Sequence, residues 1–227
     1  MDARPARSRG VLRGFANSAD LGGLPAPRGS EVPTGRVIRA NTPARLSEED
    51  LAAAHAVRFA VVLDLRSSEE LVACPHPLAN SPAYRWLPLI DPAAEAGEDF
   101  SRYRTLGEIY SSSLQRNAAH IAAIFGAVAS APPGPVLISC RAGRDRTGMI
   151  AALLLDLAGV DRQAIAADHA LPPAGTCGTN AADPASGDDI LEMLDHVSAA
   201  YGSTAQYLRW LGLDGGTVDS LSRRLAA

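Results

Sequence analysis

The sequence of 227 residues contains no lysine, and arginine supplies all 21 of its basic residues. The arginine side chain is a planar fork of hydrogen-bond donors that matches the oxygens of phosphate and carboxylate groups. Among side chains that carry a permanent positive charge, only arginine is therefore available to bind an anion.

The chain also lacks an excess of positive charge and a long apolar run. A formal net charge of −4 argues against nucleic-acid binding through general electrostatics. The longest apolar run, residues 149–155, is too short to span a membrane. The basic residues 1–10 lack the apolar core of a signal peptide, so we expect residues 1–12 to form a flexible tail.

Cysteine is scarce as well, with Cys74, Cys140 and Cys177 forming an odd set without the spacing of metal ligands. We therefore expect reduced thiols, a cytoplasmic location, and neither metal nor cofactor. Secretion without a recognisable signal stays an alternative, and the sequence does not determine the oligomeric state.

Predicted strands and helices alternate along residues 13–227, which we assign to a single domain. Residues 35–40, 59–63, 84–90 and 135–139 are predicted strands. Predicted helices cover residues 48–57, 105–131, 147–157 and 161–170, and two or three more begin near Asp188, Ser203 and Thr217. This order predicts an α/β fold with a mostly parallel central sheet flanked by helices. Residues 93–100 and 171–187 are predicted loops, the second one mobile.

One stretch, residues 135–148, combines a buried strand, a cysteine and a basic loop. The apolar run leads into Cys140, a loop with Gly143 follows, and a helical pattern begins at Thr147. A thiol, loop amides and a helix N-terminus thus converge, which is an arrangement that holds a phosphate dianion beside a nucleophile. We call residues 140–147 the cysteine loop.

Each residue of the cysteine loop has a predicted role in phosphoryl transfer. Cys140 is the candidate nucleophile, and Arg146 is expected to bind two phosphate oxygens. The other phosphate-binding candidates are Arg141, Ala142, Gly143, Arg144 and Thr147. The mechanism also needs a general acid. Asp145 is nearest in sequence, and Asp64 and Asp91, which follow predicted strands, are alternatives.

The spacing of Cys140, five residues, Arg146 and Thr147 resembles the signature loop of the cysteine-dependent protein tyrosine phosphatase superfamily. The closer resemblance is to its bacterial tyrosine/serine protein phosphatase family. Further matches to that family, in the same order, are residues 17–23, 35–40 and 46–51, Asp64-Leu65-Arg66-Ser67 with Glu70, and Tyr201-Gly202 with Tyr207-Leu208.

The resemblance implies a three-layer phosphatase fold and a phosphorylated protein as substrate. It implies that Cys140 is the nucleophile, that Arg146 binds phosphate and that Asp145 is the acid and base. It also implies supporting residues around the pocket, namely Asp64, Arg66, Asn17 and Asp20.

Three features depart from the family pattern. Ser139 replaces the histidine that normally precedes the cysteine, and Arg144 replaces a lysine. Residues 171–187, where relatives often carry a helical lid, have a loop-like composition instead. We therefore expect a more open pocket.

Three alternatives accompany the protein phosphatase hypothesis. The extra positive charge of Arg141 and Arg144 favours a small polyanionic metabolite, such as a phosphoinositide, nucleotide or sugar phosphate. A rhodanese-like sulfurtransferase would place its arginine one residue earlier than Arg146. A non-catalytic phosphate-binding module would be expected to lack Cys140 or Arg146, and both are present.

Overall fold

The computed structural model describes residues 10–171 and 186–226. Most of the predicted tail and of the predicted mobile loop, including Cys177, lies outside the described residues. The strands are β1 Ala19–Asp20, β2 Val37–Asn41, β3 Val61–Asp64, β4 Tyr84–Trp86 and β5 Val136–Cys140. The helices are α1 Glu48–Ala56, α2 Ser68–Ala73, α3 Pro92–Glu95, α4 Leu106–Arg116, α5 Ala118–Ser130, α6 Asp145–Leu157, α7 Arg162–His169, α8 Gly187–Tyr201, α9 Thr204–Trp210 and α10 Gly215–Leu225.

The five strands form one sheet in the order β1-β2-β5-β3-β4. β1 pairs antiparallel with β2, and all other neighbours are parallel. The strand that ends at Cys140 is therefore the middle one, between the ends of β2 and β3. In open parallel sheets, ligands bind beyond the carboxyl ends of such central strands.

The sheet is covered on both faces, which explains the apolar runs that predicted β2, β3 and β5. Alternate residues of β5 enter two separate core clusters. Val136, Ile138 and Cys140 share a cluster with residues of α4 to α10, whereas Leu137 packs with Leu12, Phe15 and Ala54 of α1. Helices therefore lie on either side of the sheet, and the predicted α/β class and mostly parallel sheet are confirmed.

Local sequence signals account for several helix ends. Ser47, Ser67 and Asp161 each accept a hydrogen bond from a first-turn amide of the helix that follows. α6 is buried along most of its length, as its apolar pattern predicts. It ends before Gly159, whose φ of +77° is the left-handed conformation that glycine adopts readily.

The predicted long helix over residues 105–131 is wrong, because Asn117 divides it into α4 and α5. The Asn117 side chain is buried. It accepts from the backbone of Asp91 at 2.7 Å and donates to Glu95 at 2.9 Å. These bonds tie the junction between the helices to the loop region before them.

Three predicted boundaries also change. The strand predicted over residues 84–90 ends at Trp86, and Pro88 two residues later has no N–H for a ladder bond. The predicted acidic loop 93–100 contains the end of α3 and the start of a short 3-10 helix, Phe100–Arg102. Leu12, assigned to the tail, is buried in the core against Phe15. Among the described residues, no helix has the length and apolarity needed to cross a membrane.

Candidate active site

Cys140 ends the middle strand of the sheet and is only 2% exposed. It lies in register with Asn41 of β2, and its carbonyl accepts a hydrogen bond from the Thr42 amide at 2.8 Å. Cys74 and Cys140 are both free thiols. The predicted nucleophile is thus held on a rigid element at the edge where a ligand is expected.

The cysteine loop is held against β2 by contacts that determine its curvature. Gly143 has a φ of +67°, and a Cβ atom there would lie 2.4 Å from the backbone of Ala40. Asn17 donates through Nδ2 to the Ala142 carbonyl at 2.8 Å, and Arg39 donates to the Gly143 carbonyl at 2.8 Å. Carbonyls are thus drawn outward from the loop, which leaves its amides for the inner side.

The amides of Arg141, Ala142 and Gly143 donate no hydrogen bond to any group among the described residues. α6 begins at Asp145, so its positive dipole end faces the same loop. The Thr147 hydroxyl is buried and has no hydrogen-bond partner in the described part of the chain. This set of donors suits an anion with several oxygens.

Arg146 forms a two-pronged ion pair with Glu70 of α2. Its Nη1 lies 2.5 Å from Oε2 of Glu70, and its Nη2 lies 2.8 Å from Oε1. Hydrogen bonding from Arg146 lowers the pKa of Glu70 below its usual range. Burial acts to lower the pKa of Arg146, but the Glu70 hydrogen bond and the nearby Cys140 raise it overall. The guanidinium is therefore a permanent cation oriented beside the thiol.

Asp145 is partly exposed, and its carboxylate accepts a hydrogen bond from the Tyr110 hydroxyl at 2.6 Å. Arg144 Nε lies 3.3 Å from the same oxygen. Burial and the adjacent Asp145 carboxylate both raise the pKa of Tyr110, so its hydroxyl stays protonated and acts as a donor. The Tyr110 ring meets His169 edge-on, with centroids 6.3 Å apart.

Asp64 and Arg66 lie at the end of β3, next to the strand that carries the cysteine loop, and both are buried. Arg66 donates to Asp64 through Nε and Nη2, the latter at 2.7 Å, and Tyr84 donates to Asp64 at 3.1 Å. The other Arg66 prong donates to the Cys74 carbonyl at 2.7 Å. Both residues therefore stabilise the strand ends that carry the loop.

The side chains of Asp20 and Asp91 accept hydrogen bonds from backbone amides outside the cysteine loop. Asp20 accepts from the amides of Gly22 and Gly35, which fixes the turns beside β1. The Asp91 side chain caps α3 by accepting from Ala93 at 2.9 Å. Asn17 is thus the supporting residue with a direct hydrogen bond to the loop backbone.

Sequence reasoning missed Tyr110, Arg39 and the partner role of Glu70. Arg39 had a signal, because it is a charged residue inside the apolar run of β2. Glu70 appeared only as part of a motif, and its capping-box position on α2 explains its orientation. Tyr110 had no local signal, since an aromatic residue on the buried face of a helix is ordinary core.

The chain also resembles known proteins in its amino-acid sequence. The model of the tyrosine phosphatase family matches residues 11–227, and this chain belongs to that family.

Two curated relatives and one solved structure illustrate the likeness. A tyrosine-protein phosphatase of Nostoc commune is 32% identical over 65% of this chain and 51% of its own length. The triple specificity protein phosphatase PtpB of Mycobacterium tuberculosis is 29% identical over 60% of each chain. The chain thus spans between half and three fifths of these relatives. The crystal structure of P. aeruginosa TpbA covers 97% of each chain, with 17% identity and a TM-score of 0.39.

Proposed function

We propose that this protein hydrolyses phosphate monoesters through a cysteinyl-phosphate intermediate on Cys140. The observation that carries the proposal is the convergence of Cys140, the inward amides of the cysteine loop and Arg146 at one sheet edge. Membership of the tyrosine phosphatase family supports a phosphatase activity. An arginine placed at residue 146, and not 145, favours phosphate over the smaller sulfur substrates of rhodaneses.

The reaction proceeds in two displacements. The Cys140 thiolate attacks phosphorus in line, an S–P bond forms, and the P–O bond to the leaving alcohol breaks. Asp145 gives its proton to the departing oxygen. Water then attacks the cysteinyl-phosphate, Asp145 takes a proton from that water, and phosphate and the thiolate are released. Thr147 donates its hydroxyl to the departing thiolate.

Asp145 is the best supported of the three candidate acids because its carboxylate is partly open to solvent. Asp64 is fully buried and already accepts from Arg66 and Tyr84. Asp91 is used in the cap of α3. Within the described part of the chain, neither alternative forms a hydrogen bond or ion pair with the cysteine loop, whereas Asp145 belongs to it.

The proposed substrate is a phosphorylated protein, with phosphate on tyrosine or serine. A small polyanionic metabolite is the second candidate. It is favoured by Arg141, which is exposed, and by Arg144, which is partly exposed, because both lie on the same loop as Arg146. These side chains provide more positive charge than one monoester needs.

Turnover of p-nitrophenyl phosphate in excess chelator tests the reaction. The Cys140→Ser variant is expected to lose at least about 10³-fold in kcat, because the serine hydroxyl is a far weaker nucleophile. Trapping of ³²P on the protein with wild type and Asp145→Asn should identify Cys140 as the site. Activity that persists in Cys140→Ser would contradict the proposal.

A substrate panel separates the two candidates. We would compare kcat/KM on phosphotyrosine and phosphoserine peptides with kcat/KM on phosphoinositides, nucleotides and sugar phosphates, for wild type and Arg144→Ala. A preference for metabolites that is lost in Arg144→Ala supports the small polyanion. A preference for phosphopeptides that is unchanged in this variant rejects it.

A further inference from the structure

The residue just before Cys140 receives a hydrogen bond from a histidine that is distant in sequence. His76 follows α2, is 3% exposed and uses both ring nitrogens. Its Nε2 lies 3.2 Å from the Ser139 hydroxyl, and its Nδ1 accepts from the Leu78 amide at 3.0 Å. The phosphatase reaction proposed above does not use this buried imidazole.

The direction of these bonds follows from the backbone. An amide can only donate, so Nδ1 of His76 carries no proton and the neutral ring has its proton on Nε2. Nε2 therefore donates to Oγ of Ser139. The Ser139 hydroxyl donates in turn to the Leu63 carbonyl at 3.2 Å. The result is a directed chain from His76 through Ser139 to β3.

The charge state of His76 agrees with this direction. Burial lowers its pKa to about 4, with Asp64 opposing and Arg66 adding to that shift. Asp64 and Arg66 are the charged groups that act on the ring, and they are paired with each other. Tyr84 packs on the ring with centroids 5.5 Å apart and donates to Asp64.

The hydrogen bonds from His76 to Ser139 and from Ser139 to Leu63 fix the position of Ser139, and the direction of the Cys140 side chain depends on this residue. Ser139 is fully buried, and its carbonyl accepts from the Leu65 amide at 2.9 Å. Its side chain points to the face opposite that of Cys140, since successive side chains alternate along a strand. The side chain of Ser139 is thus bound to β3, and its main chain is bound to Leu65 just after β3, directly before the thiol.

We propose that His76 is a positioning residue, which acts through Ser139 to hold Cys140 in its attacking orientation. This inference rests on the proposed function of Cys140. The imidazole that the signature loop of related phosphatases carries immediately before the cysteine is supplied here from another segment of the chain.

The variants that test this role are His76→Phe, Ser139→Ala, the double variant and His76→Gln. Phenylalanine keeps the ring and loses both hydrogen bonds, whereas the glutamine amide can still donate to Ser139. Ser113→Ala is the matched control, because it removes a similarly buried serine hydroxyl whose hydrogen bond is to Asn117, outside the cysteine loop.

Two quantities besides turnover separate positioning from general stability. One is the rate at which iodoacetamide alkylates Cys140 at pH 7, followed by peptide mass spectrometry. The other is the Kd of tungstate, which reports on the amides and Arg146. His76→Phe and Ser139→Ala are each expected to slow alkylation and kcat about tenfold, with the Kd changed less than about twofold.

The double variant should be no slower than either single variant, because both break one chain, and His76→Gln should recover part of the rate. Ser113→Ala should leave both rates unchanged. Unchanged rates in folded His76→Phe, or additive losses in the double variant, would overturn the proposal. An equal loss of kcat and tungstate affinity would overturn it as well.

Nuclear magnetic resonance of the ¹⁵N-labelled wild type needs no variant to fold. The His76 ring should show a slowly exchanging Nε2–H, and its neutral form should persist from pH 8 to pH 5. An Nδ1–H tautomer of His76, or titration of its ring near pH 6.5, would contradict the proposed hydrogen bonds from His76 through Ser139 to Leu63. If Cys140→Ser proves active, the proposed function fails. If Cys140 is essential but His76→Phe is normal, only this inference fails.

Discussion

Two arginine–carboxylate pairs lie near the strand end that carries Cys140, and they differ mainly in burial. In the Arg66–Asp64 pair the side chains are 3% and 0% exposed, and in the Arg146–Glu70 pair they are 21% and 23% exposed. Both pairs are two-pronged, with shortest contacts of 2.7 and 2.5 Å respectively. The chemistry of the two pairs is therefore the same, and their surroundings are not.

The difference shows how one type of ion pair can serve two purposes. The third nitrogen of Arg66 donates to the Cys74 carbonyl, and Asp64 also accepts a hydrogen bond from Tyr84. Each guanidinium nitrogen of Arg66 therefore has a hydrogen-bond partner within the protein. Arg146 lies near a thiol and keeps a face open to solvent. In the proposed reaction, an incoming phosphate would bind that face without the cost of uncovering a buried charge.

The largest expected effect is that of Arg146→Ala on catalysis. We expect kcat/KM on p-nitrophenyl phosphate to fall about 10³-fold, since the guanidinium stabilises the charge on the transferring group. The free energy of unfolding in urea should change by less than about 1 kcal/mol, because the ion pair is partly exposed. Arg162→Ala removes a comparable paired arginine of α7 and should leave activity unchanged. Retention of a tenth of the activity in Arg146→Ala would contradict this assignment.

The opposite pattern is expected for Arg66→Met. Removal of Arg66 leaves Asp64 buried without its partner, so the free energy of unfolding should drop by about 3 kcal/mol. At a temperature where the variant is folded, kcat should fall less than about tenfold. The double variant Asp64→Asn, Arg66→Met should regain part of the stability, because the unpaired charge is removed. A decrease in the free energy of unfolding of less than about 1 kcal/mol in Arg66→Met would show that water reaches Asp64.

Acid should destabilise the protein through two buried histidines. Burial lowers the pKa of His76 and of His169 to about 4, so the unfolded chain binds protons that the folded chain does not. Stability should therefore fall as the pH drops from about 6.5 to about 4, by up to roughly 1.4 kcal/mol per pH unit for each histidine.

Urea unfolding of wild type, His76→Phe and His169→Phe at pH 4.5 to 6.5 measures this dependence. Each variant should reduce the slope of stability against pH by about one proton. Ile124→Val, a buried change without a titratable group, should keep the wild-type slope. An unchanged slope in either histidine variant would mean that its ring is protonated in the folded protein.

The smallest expected effect belongs to Tyr110→Phe, which leaves Asp145 without its 2.6 Å hydrogen bond. An acid that is less well oriented matters most when the leaving group needs a proton. We expect kcat to drop about fivefold on phenyl phosphate and hardly at all on p-nitrophenyl phosphate. Tyr103→Phe, which removes a hydroxyl bonded to Glu98, is the control. Equal losses on both substrates would argue against Asp145 as the acid.

Much of the fold was predictable because its signals are local. The buried strands β3 and β5 each begin with a continuous apolar run, and the start of α1 is marked by Ser47 at its N-cap. The prediction failed at Asn117, where one helical pattern covers two helices. The reason is a side chain whose partners, Asp91 and Glu95, lie more than 20 residues away.

By itself, the sequence determined the strand, loop and helix around Cys140, since this candidate nucleophile, Gly143 and Arg146 are separated by a few residues. Only the tertiary structure determined what surrounds them. Glu70 meets Arg146 across 76 residues, His76 meets Ser139 across 63, and Asn17 meets Ala142 across 125. Parallel strands bring distant strand ends to one edge of a sheet. Which side chains then come within hydrogen-bond reach depends on packing angles that no local pattern encodes.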